Sequence, residues 1–233
     1  MLWDVDYTLL NAGGVGRVAY DSVFRDMFGR DPVALAPMAG RTERAIIADT
    51  LAMAGITDPA RHVDEFVAGL ARRAPGLKDM FETRGHALPG AAAALAAVAE
   101  LGPGVVQSVL TGNVPAIAKA KLTAFGLDTY LDVDVGAYGD HHEVRAELVH
   151  LARSRARAAY GRDFGGAATV LVGDTPLDVA AALATGARAV GVATGGPTAA
   201  ELAAAGADVV LPDLTDTATV VAAITGSGPA PRS

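Results

Sequence analysis

The chain has 233 residues, of which 51% are apolar and 19% charged, enough for a sizeable buried core in one generous domain or two small ones. A net charge of −7 argues against nucleic acid as the main partner, because a phosphate backbone is bound by clustered Lys and Arg. The absence of cysteine excludes disulfides, a thiol nucleophile and a Cys-zinc site. No apolar run reaches the roughly 20 residues that span a bilayer, and we expect no signal peptide, so a cytoplasmic protein with no membrane partner is predicted.

The chain opens on a short apolar strand that runs into acidic residues, with the sequence Leu2-Trp3-Asp4-Val5-Asp6-Tyr7-Thr8-Leu9-Leu10. Asp4 and Asp6, two residues apart at a strand end, are expected to point to the same face. Like charges about 4 Å apart repel by about 4 kcal/mol at an effective dielectric near 20, so the pair needs a cation or a shared proton. A hard divalent cation with oxygen ligands meets that need. An Asp-rich turn after a strand is the alternative.

Residues 15–85 carry helical patterns and no convincing strand. Helices are predicted over residues 15–28, 42–54 and about 58–73, and the first two are followed by glycine. Glycine-bearing connections on both sides predict a small α-helical cap over residues 13–87, with hinges that let it move as a lid. Ordinary loops joining extra helices of a single domain are the alternative.

From about residue 103 onward, apolar runs alternate with helical patterns. The predicted strands are residues 105–110, 132–135, 168–172, 187–193 and 207–211, and one helix is expected to start at Asp140 with a capping box to Glu143. This alternation predicts an α/β fold, a Rossmann-like parallel sheet built from residues 1–12 and 88–225. Residues 226–233 are rich in Gly, Pro and Ser and are predicted to form a loose tail.

Two further polar segments follow predicted strands, where ligands of such sheets bind. Thr111-Gly112-Asn113 supplies a hydroxyl and backbone N–H donors ahead of a helix, which suits a phosphate cradle. In Gly173-Asp174-Thr175-Pro176-Leu177-Asp178, Asp174 is a candidate metal ligand. Asp178 either caps the following helix or orients the metal's water shell, and the two roles are compatible.

Arg145 lies in the first turn of the helix predicted from Asp140, where a guanidinium is placed to bind phosphate oxygens in the same cleft. A solvated arginine on a helix surface is the alternative. The neighbouring His141 and His142 point in different directions on a forming helix, whereas zinc ligands prefer spacings such as i and i+4. We therefore interpret this segment as a surface helix start.

Taken together, Asp-x-Asp-x-Thr at residues 4–8, Thr111, Arg145 and Gly-Asp-x-x-x-Asp at residues 173–178 resemble the haloacid dehalogenase superfamily. Within it, the sequence is similar to the phosphoglycolate-phosphatase-like branch with a helical cap. The resemblance implies that Asp4 is the nucleophile, transiently phosphorylated, and that Asp6 is the acid/base. It also implies that the transferring phosphoryl group is held by four residues: Thr111, Gly112, Asn113 and Arg145.

The resemblance further implies that Mg²⁺ is bound by Asp4, the backbone carbonyl of Asp6, and Asp174. Thr8 and Asp178 would support this metal site. Two residues depart from the family pattern, because Tyr7 stands where glycine is usual and Arg145 stands where lysine is usual. In the cap, Arg41 and Thr42 are the candidate substrate-reading residues, since similar phosphatases carry a comparable Gly-x-Thr stretch that faces the active site.

Asp6 bears on the reaction that the resemblance implies. A dehalogenase acting on carbon has no leaving alkoxide to protonate, so a second aspartate favours phosphoryl transfer. The resemblance thus implies a phosphoric monoester hydrolase for a small phosphorylated metabolite, with phosphoglycolate the leading candidate, acting as a monomer or homodimer. A sugar-phosphate mutase built on the same site and a non-catalytic phosphate-binding module are the alternative functions.

Overall fold

The computed structural model describes residues 1–226. The strands are β1 (Leu2–Trp3), β2 (Leu10–Asn11), β3 (His86–Ala87), β4 (Ser108–Thr111), β5 (Ala137–Tyr138), β6 (Val170–Gly173), β7 (Arg188–Val192) and β8 (Val209–Leu211). The α-helices are α1 (Val15–Phe28), α2 (Glu43–Met53), α3 (Val63–Arg73), α4 (Lys78–Arg84), α5 (Ala91–Ala99), α6 (Pro115–Ala124), α7 (Arg145–Tyr160), α8 (Pro176–Ala184), α9 (Ala199–Ala204) and α10 (Thr217–Thr225).

Six strands form a parallel sheet in the spatial order β5-β4-β1-β6-β7-β8. Leu2 of β1 pairs with Ser108 of β4 on one side and with Leu171 of β6 on the other, so the first strand lies inside the sheet. The order of the chain reverses on either side of β1, which makes its carboxyl end the point where such sheets bind ligands. The α/β fold expected from the sequence is confirmed.

The helices α1 to α4 lie between β2 and β3, which pair with each other as a small antiparallel ribbon. This ribbon was not predicted; it joins the two connections that bound the helices. Gly13, beside it, has φ +60, and a Cβ there would lie 2.2 Å from the Arg84 carbonyl oxygen, so only glycine fits. We call residues 13–87 the cap; its standing as a separate domain stays a prediction.

The cap and the sheet share one buried apolar cluster. Three of its members are completely buried: Trp3 at the end of β1, Phe24 of α1 and Phe66 of α3. Burial of a large apolar side chain contributes about 1.5–3 kcal/mol, so this shared cluster holds the helices against the sheet. The cleft described below lies between the two.

Two element predictions are wrong. Residues 132–135 are not a strand; the strand at the sheet edge is β5, two residues later. The helix predicted from Asp140 begins at Arg145, because the Val144 N–H donates to His142 Nδ1 at 2.9 Å and the Glu143 carbonyl accepts from Thr42 Oγ1 at 2.8 Å. These contacts hold residues 142–144 in a turn instead of a capping box. Of the predicted tail, residues 227–233 lie outside the described residues.

Candidate active site

The ends of three neighbouring strands bring the acidic residues together. Asp4 follows β1, and its N–H donates to the Val172 carbonyl of β6 at 2.8 Å. Asp174 follows β6 directly, while Thr111 ends β4 on the other side of β1. All three side chains are buried. Residues separated by more than 100 positions in sequence therefore meet at one edge of the sheet.

Asp178 joins this edge through the start of α8. Thr175 caps the helix by accepting from the Asp178 N–H, Asp178 accepts in return from the Thr175 N–H, and Pro176 occupies the first turn. The reciprocal cap fixes the Asp178 carboxylate at the base of the site, where it is nearly fully buried. Its capping role, expected from the sequence, is confirmed.

Oxygen atoms of Asp4, Asp174 and Asp178 lie within 4.8 Å of one another and form a buried acidic triad. Arg145 bridges two of its members: Nη2 donates to Asp4 Oδ1 at 3.0 Å, and Nε donates to Asp178 Oδ1 at 2.9 Å. Burial, reinforced by the Asp178 charge, raises the pKa of Asp174 to about 7. The same two causes raise the pKa of Asp4 well above its ordinary value, although Arg145 opposes them.

The triad has the donor set of a divalent-cation site. Three carboxylates against the one guanidinium of Arg145 leave two negative charges unbalanced when all are ionised. The Thr8 hydroxyl donates to Asp174 Oδ1 over a long distance, 3.4 Å. Mg²⁺ and similar hard cations bind such oxygens and offset such charge. The residues present therefore fit a divalent metal, with Asp4 and Asp174 as side-chain ligands and Thr8 and Asp178 beside them.

Asp6 is not part of the triad. Its carboxylate oxygens accept from Lys121 Nζ at 2.8 and 2.7 Å, and one of them also accepts from Asn113 Nδ2 at 2.7 Å. The expectation that the side chains of Asp4 and Asp6 crowd onto one cation is wrong, because β1 ends at Trp3 and the same-face rule holds only within a strand. Asp6 has a cation of its own, a lysine from the sheet side of the cleft.

Lys121 is the site residue that the sequence interpretation missed. It lies on α6, is 4% exposed, and also donates to Asn113 Oδ1 at 2.7 Å. A signal was available: Lys121 falls one turn after the buried Ile117 and next to the buried Leu122, on the apolar face of its helix. A lysine at such a position is buried only when it is paired.

The segment of residues 111–113, predicted to bind phosphate, meets the cap closely at Gly112. A Cβ there would lie 2.0 Å from the Arg41 carbonyl oxygen, so glycine at this position admits the cap loop. The Gly112 carbonyl accepts from the Glu43 N–H at 2.9 Å, and Asn113 donates through Nδ2 to Thr111 Oγ1 at 2.7 Å. Thr111, Gly112 and Asn113 thus form the floor of the cleft where the first turn of α2 docks.

Of the two predicted substrate-reading residues, Thr42 docks the cap, since its hydroxyl donates to the Glu143 carbonyl of the core. Arg41 borders the cleft, but its guanidinium is engaged within the cap, donating to Asp49 Oδ2 at 2.6 Å and to the Pro37 carbonyl at 3.2 Å. The structure therefore directs neither polar group at the triad.

Tyr7 stands at the mouth of the cleft with a left-handed backbone, φ +58. This conformation favours glycine, which explains why the usual residue there is glycine. Tyr7 is 48% exposed, and its carbonyl accepts from Thr194 Oγ1. The side chain adds bulk to the entrance without being part of the packed interior.

A cleft of about 280 Å³ lies between cap and sheet and reaches the triad. Its sheet side carries Asp4, Asp6, Lys121 and Arg145, and its cap side carries apolar groups together with Tyr20 and Glu43. That size suits a small molecule with one end at the carboxylates. The cleft therefore brings carboxylates and cationic side chains around a space that fits a small molecule.

A family model for haloacid dehalogenase-like hydrolases matches residues 1–183. The chain therefore belongs to the haloacid dehalogenase-like hydrolase family, and the family expected from the sequence is confirmed. A curated relative, the "Probable phosphatase IndB" of Dickeya dadantii (strain 3937), is 38% identical over 128 residues. That match covers 54% of this chain and 52% of the relative, about half of each.

Solved structures share the whole fold. CbbY from Rhodobacter sphaeroides, in complex with phosphate, is 20% identical to this chain, with a TM-score of 0.64. The match covers 92% of this chain and 94% of the CbbY chain. A predicted phosphoglycolate phosphatase from Haemophilus somnus is 16% identical with a TM-score of 0.65, over 94% of this chain and 96% of its own. None of the helices within residues 1–226 combines the length and apolar character that a membrane crossing requires.

Proposed function

We propose that this protein is a Mg²⁺-dependent phosphatase that hydrolyses small phosphate monoesters through an aspartyl phosphate on Asp4. The observation that carries the proposal is the buried triad of Asp4, Asp174 and Asp178, bridged by Arg145 at the end of a small cleft. The naming of the curated relative as a phosphatase supports the same reaction class. The cytoplasmic location stays a prediction, and a monomer and a homodimer both stay open.

In the first proposed step, an Asp4 carboxylate oxygen attacks phosphorus and the bond from phosphorus to the ester oxygen breaks. Asp6, protonated when the substrate is bound, gives its proton to the departing alkoxide, which leaves as an alcohol. Arg145 already contacts Asp4 and lies where it can neutralise charge on the phosphoryl oxygens. Thr111 lies at the end of β4 beside the same position and contributes a hydroxyl.

In the second step, the ionised Asp6 takes a proton from water, and that water oxygen attacks phosphorus of the aspartyl phosphate. The bond between Asp4 and phosphorus breaks, so inorganic phosphate leaves and both carboxyl groups return to their starting states. When bound by Asp4 and Asp174, with the Asp6 backbone carbonyl and Asp178 in support, Mg²⁺ would supply charge neutralisation at the phosphoryl oxygens. Monoester hydrolysis is among the slowest uncatalysed reactions, which makes these contributions necessary.

The test is phosphate release by the full-length protein from a panel of small monoesters, with Mg²⁺ and with a chelator. We expect steady release that stops when the chelator is present and is lost in Asp4→Asn. Glu65→Gln, an exposed change on α3, is the matched control and should retain wild-type rates. Full activity of Asp4→Asn, or phosphate release that continues unchanged when the chelator is present, would contradict the proposal.

A further inference from the structure

The cap side of the cleft contains a buried carboxylate that the proposed chemistry does not use. Glu43 is the first residue of α2, and its Oε1 accepts a hydrogen bond from the Tyr20 hydroxyl of α1. Both side chains are buried, and both border the cleft. In the described part of the chain, Tyr20 is the sole protein donor to the Glu43 carboxylate, which leaves acceptor capacity for a bound molecule.

Glu43 faces the reacting groups across the cleft. Its backbone N–H donates to the Gly112 carbonyl, and its side chain borders the same cleft as Asp6 and Lys121. The charges of both residues act on it: burial raises the pKa of Glu43 to about 7, while Lys121 opposes this rise and Asp6 adds to it. Glu43 thus borders the same cleft as Asp4, where the phosphate is proposed to lie.

The cations that border the cleft are already engaged. Arg17 donates to Asp21 at 2.9 Å and Arg41 to Asp49 at 2.6 Å, while Lys121 is held by Asp6. Much of the remaining cap wall is apolar, with Ala19, Met38, Ala39, Ile46 and Leu70. A leaving group that enters the cleft therefore meets a carboxylate and apolar surface.

We propose that Glu43, positioned by Tyr20, selects the leaving group, favouring alcohols that carry a hydroxyl or amino donor and rejecting those that carry a carboxylate or a second phosphate. A donor on the leaving group completes the hydrogen bonding of Glu43. An anion is repelled when Glu43 is ionised, at a pH above its pKa of about 7, because the site has a low dielectric. The inference rests on the proposed phosphatase function. It disfavours phosphoglycolate, whose carboxylate would face Glu43.

The experiment compares kcat/KM of the full-length protein with Mg²⁺ at about pH 8, where Glu43 is mostly ionised, on 2-aminoethyl phosphate, glycerol phosphate and 2-phosphoglycolate, with p-nitrophenyl phosphate as a reference substrate. We expect wild type to prefer the two donor-bearing esters over 2-phosphoglycolate by roughly tenfold or more. Glu43→Gln should reduce that ratio by roughly tenfold, because glutamine no longer repels a carboxylate. Tyr20→Phe should reduce it in the same direction, and Glu65→Gln should leave it unchanged.

The ratio between substrates separates selection from a structural effect, since a loss of folded protein lowers every rate alike. A preference of wild type for 2-phosphoglycolate, or an unchanged ratio in Glu43→Gln, would overturn selection by Glu43 while the phosphatase function stands. No hydrolysis of any ester, p-nitrophenyl phosphate included, would overturn the proposed function and this inference together.

Discussion

Lys121 Nζ lies 2.8 and 2.7 Å from the two carboxylate oxygens of Asp6, and this pair joins α6 to the segment that follows the first strand. Lys121 is 4% exposed, so its charge is little screened by water. The pair fixes the direction of the proposed acid/base. Lys121 is accordingly a positioning residue, acting on substrate through Asp6.

Replacing Lys121 by glutamine should therefore impair proton transfer to the leaving group. We expect Lys121→Gln to lower kcat/KM, which reports the steps up to release of the alcohol, by about 100-fold on an alkyl phosphate, the lower end of the range for general acid catalysis. The loss should be much smaller on p-nitrophenyl phosphate, whose leaving group needs no proton. Lys119→Gln, an exposed neighbour on α6 paired with Asp134, is the control. Equal losses of kcat/KM on both substrates would show that Lys121 does not act through proton donation by Asp6.

Divalent metal should stabilise the fold through the triad. A cation that binds the folded state alone, at about 100 times its Kd, contributes about 2.7 kcal/mol. For a chain of this length, that corresponds to a rise in Tm of about 5–10 °C. Scanning calorimetry with Mg²⁺ and with chelator should show the rise in wild type and in Asp134→Asn, an exposed change. An equal rise in Asp174→Asn would mean that the cation binds elsewhere.

Glu43 should make stability depend on pH. Its pKa in the folded protein is about 7, above the ordinary value of 4.5, so folding favours the protonated form. The stability that this contributes is complete below about pH 4.5 and is lost as the pH rises through about 7. Relative to Glu43→Gln, wild type should lose up to about 3 kcal/mol of unfolding free energy over this range.

The measurement is urea unfolding of wild type and Glu43→Gln, without divalent cations, from about pH 4.5 to about pH 8. Asp4 and Asp174 also carry raised pKa values, but they are present in both proteins and largely cancel in the difference. Glu65→Gln controls for the loss of a carboxylate from the cap. Parallel stability curves for wild type and Glu43→Gln would contradict the assigned pKa.

The left-handed backbone conformation of Tyr7 should lower the stability of the folded protein. A left-handed φ costs a residue with a Cβ roughly 1–2 kcal/mol, and glycine escapes this cost. Tyr7→Gly and Tyr7→Ala both remove the half-exposed ring, so their difference reports the backbone alone. We expect Tyr7→Gly to be more stable than Tyr7→Ala by about 1 kcal/mol in chemical denaturation. The reverse order would indicate that the turn relaxes when the ring is absent.

The sequence predicted those parts of the site that depend on local rules. Asp4 and Asp174 each follow a buried strand, and the carboxyl ends of parallel strands share an edge, so their proximity follows from the fold class. The cap of α8 by Thr175 and Asp178 follows from their spacing alone. Such features need no knowledge of how distant elements pack.

Features that depend on tertiary packing were not predicted. The spacing of Asp4 and Asp6 could not predict the direction of the Asp6 side chain, because the strand ends before Asp6. Its partner Lys121 lies on a helix more than 100 residues further along the chain. The contact between Tyr20 and Glu43 arises only because α1 and α2 pack inside the cap. Arg41 was predicted to contact the substrate, because the sequence did not indicate its ion pair with Asp49, eight residues further along on α2.

The measurement that tests the central claim most directly is detection of the phosphoryl group on Asp4. In Asp6→Asn, p-nitrophenyl phosphate should still phosphorylate Asp4, since its leaving group needs no acid, but water can no longer be activated for the second step. After acid quenching, peptide mass spectrometry should find one phosphoryl group, located on Asp4 and absent when Asp4→Asn is added. A phosphoryl group on another residue, or turnover by Asp4→Asn, would contradict the account.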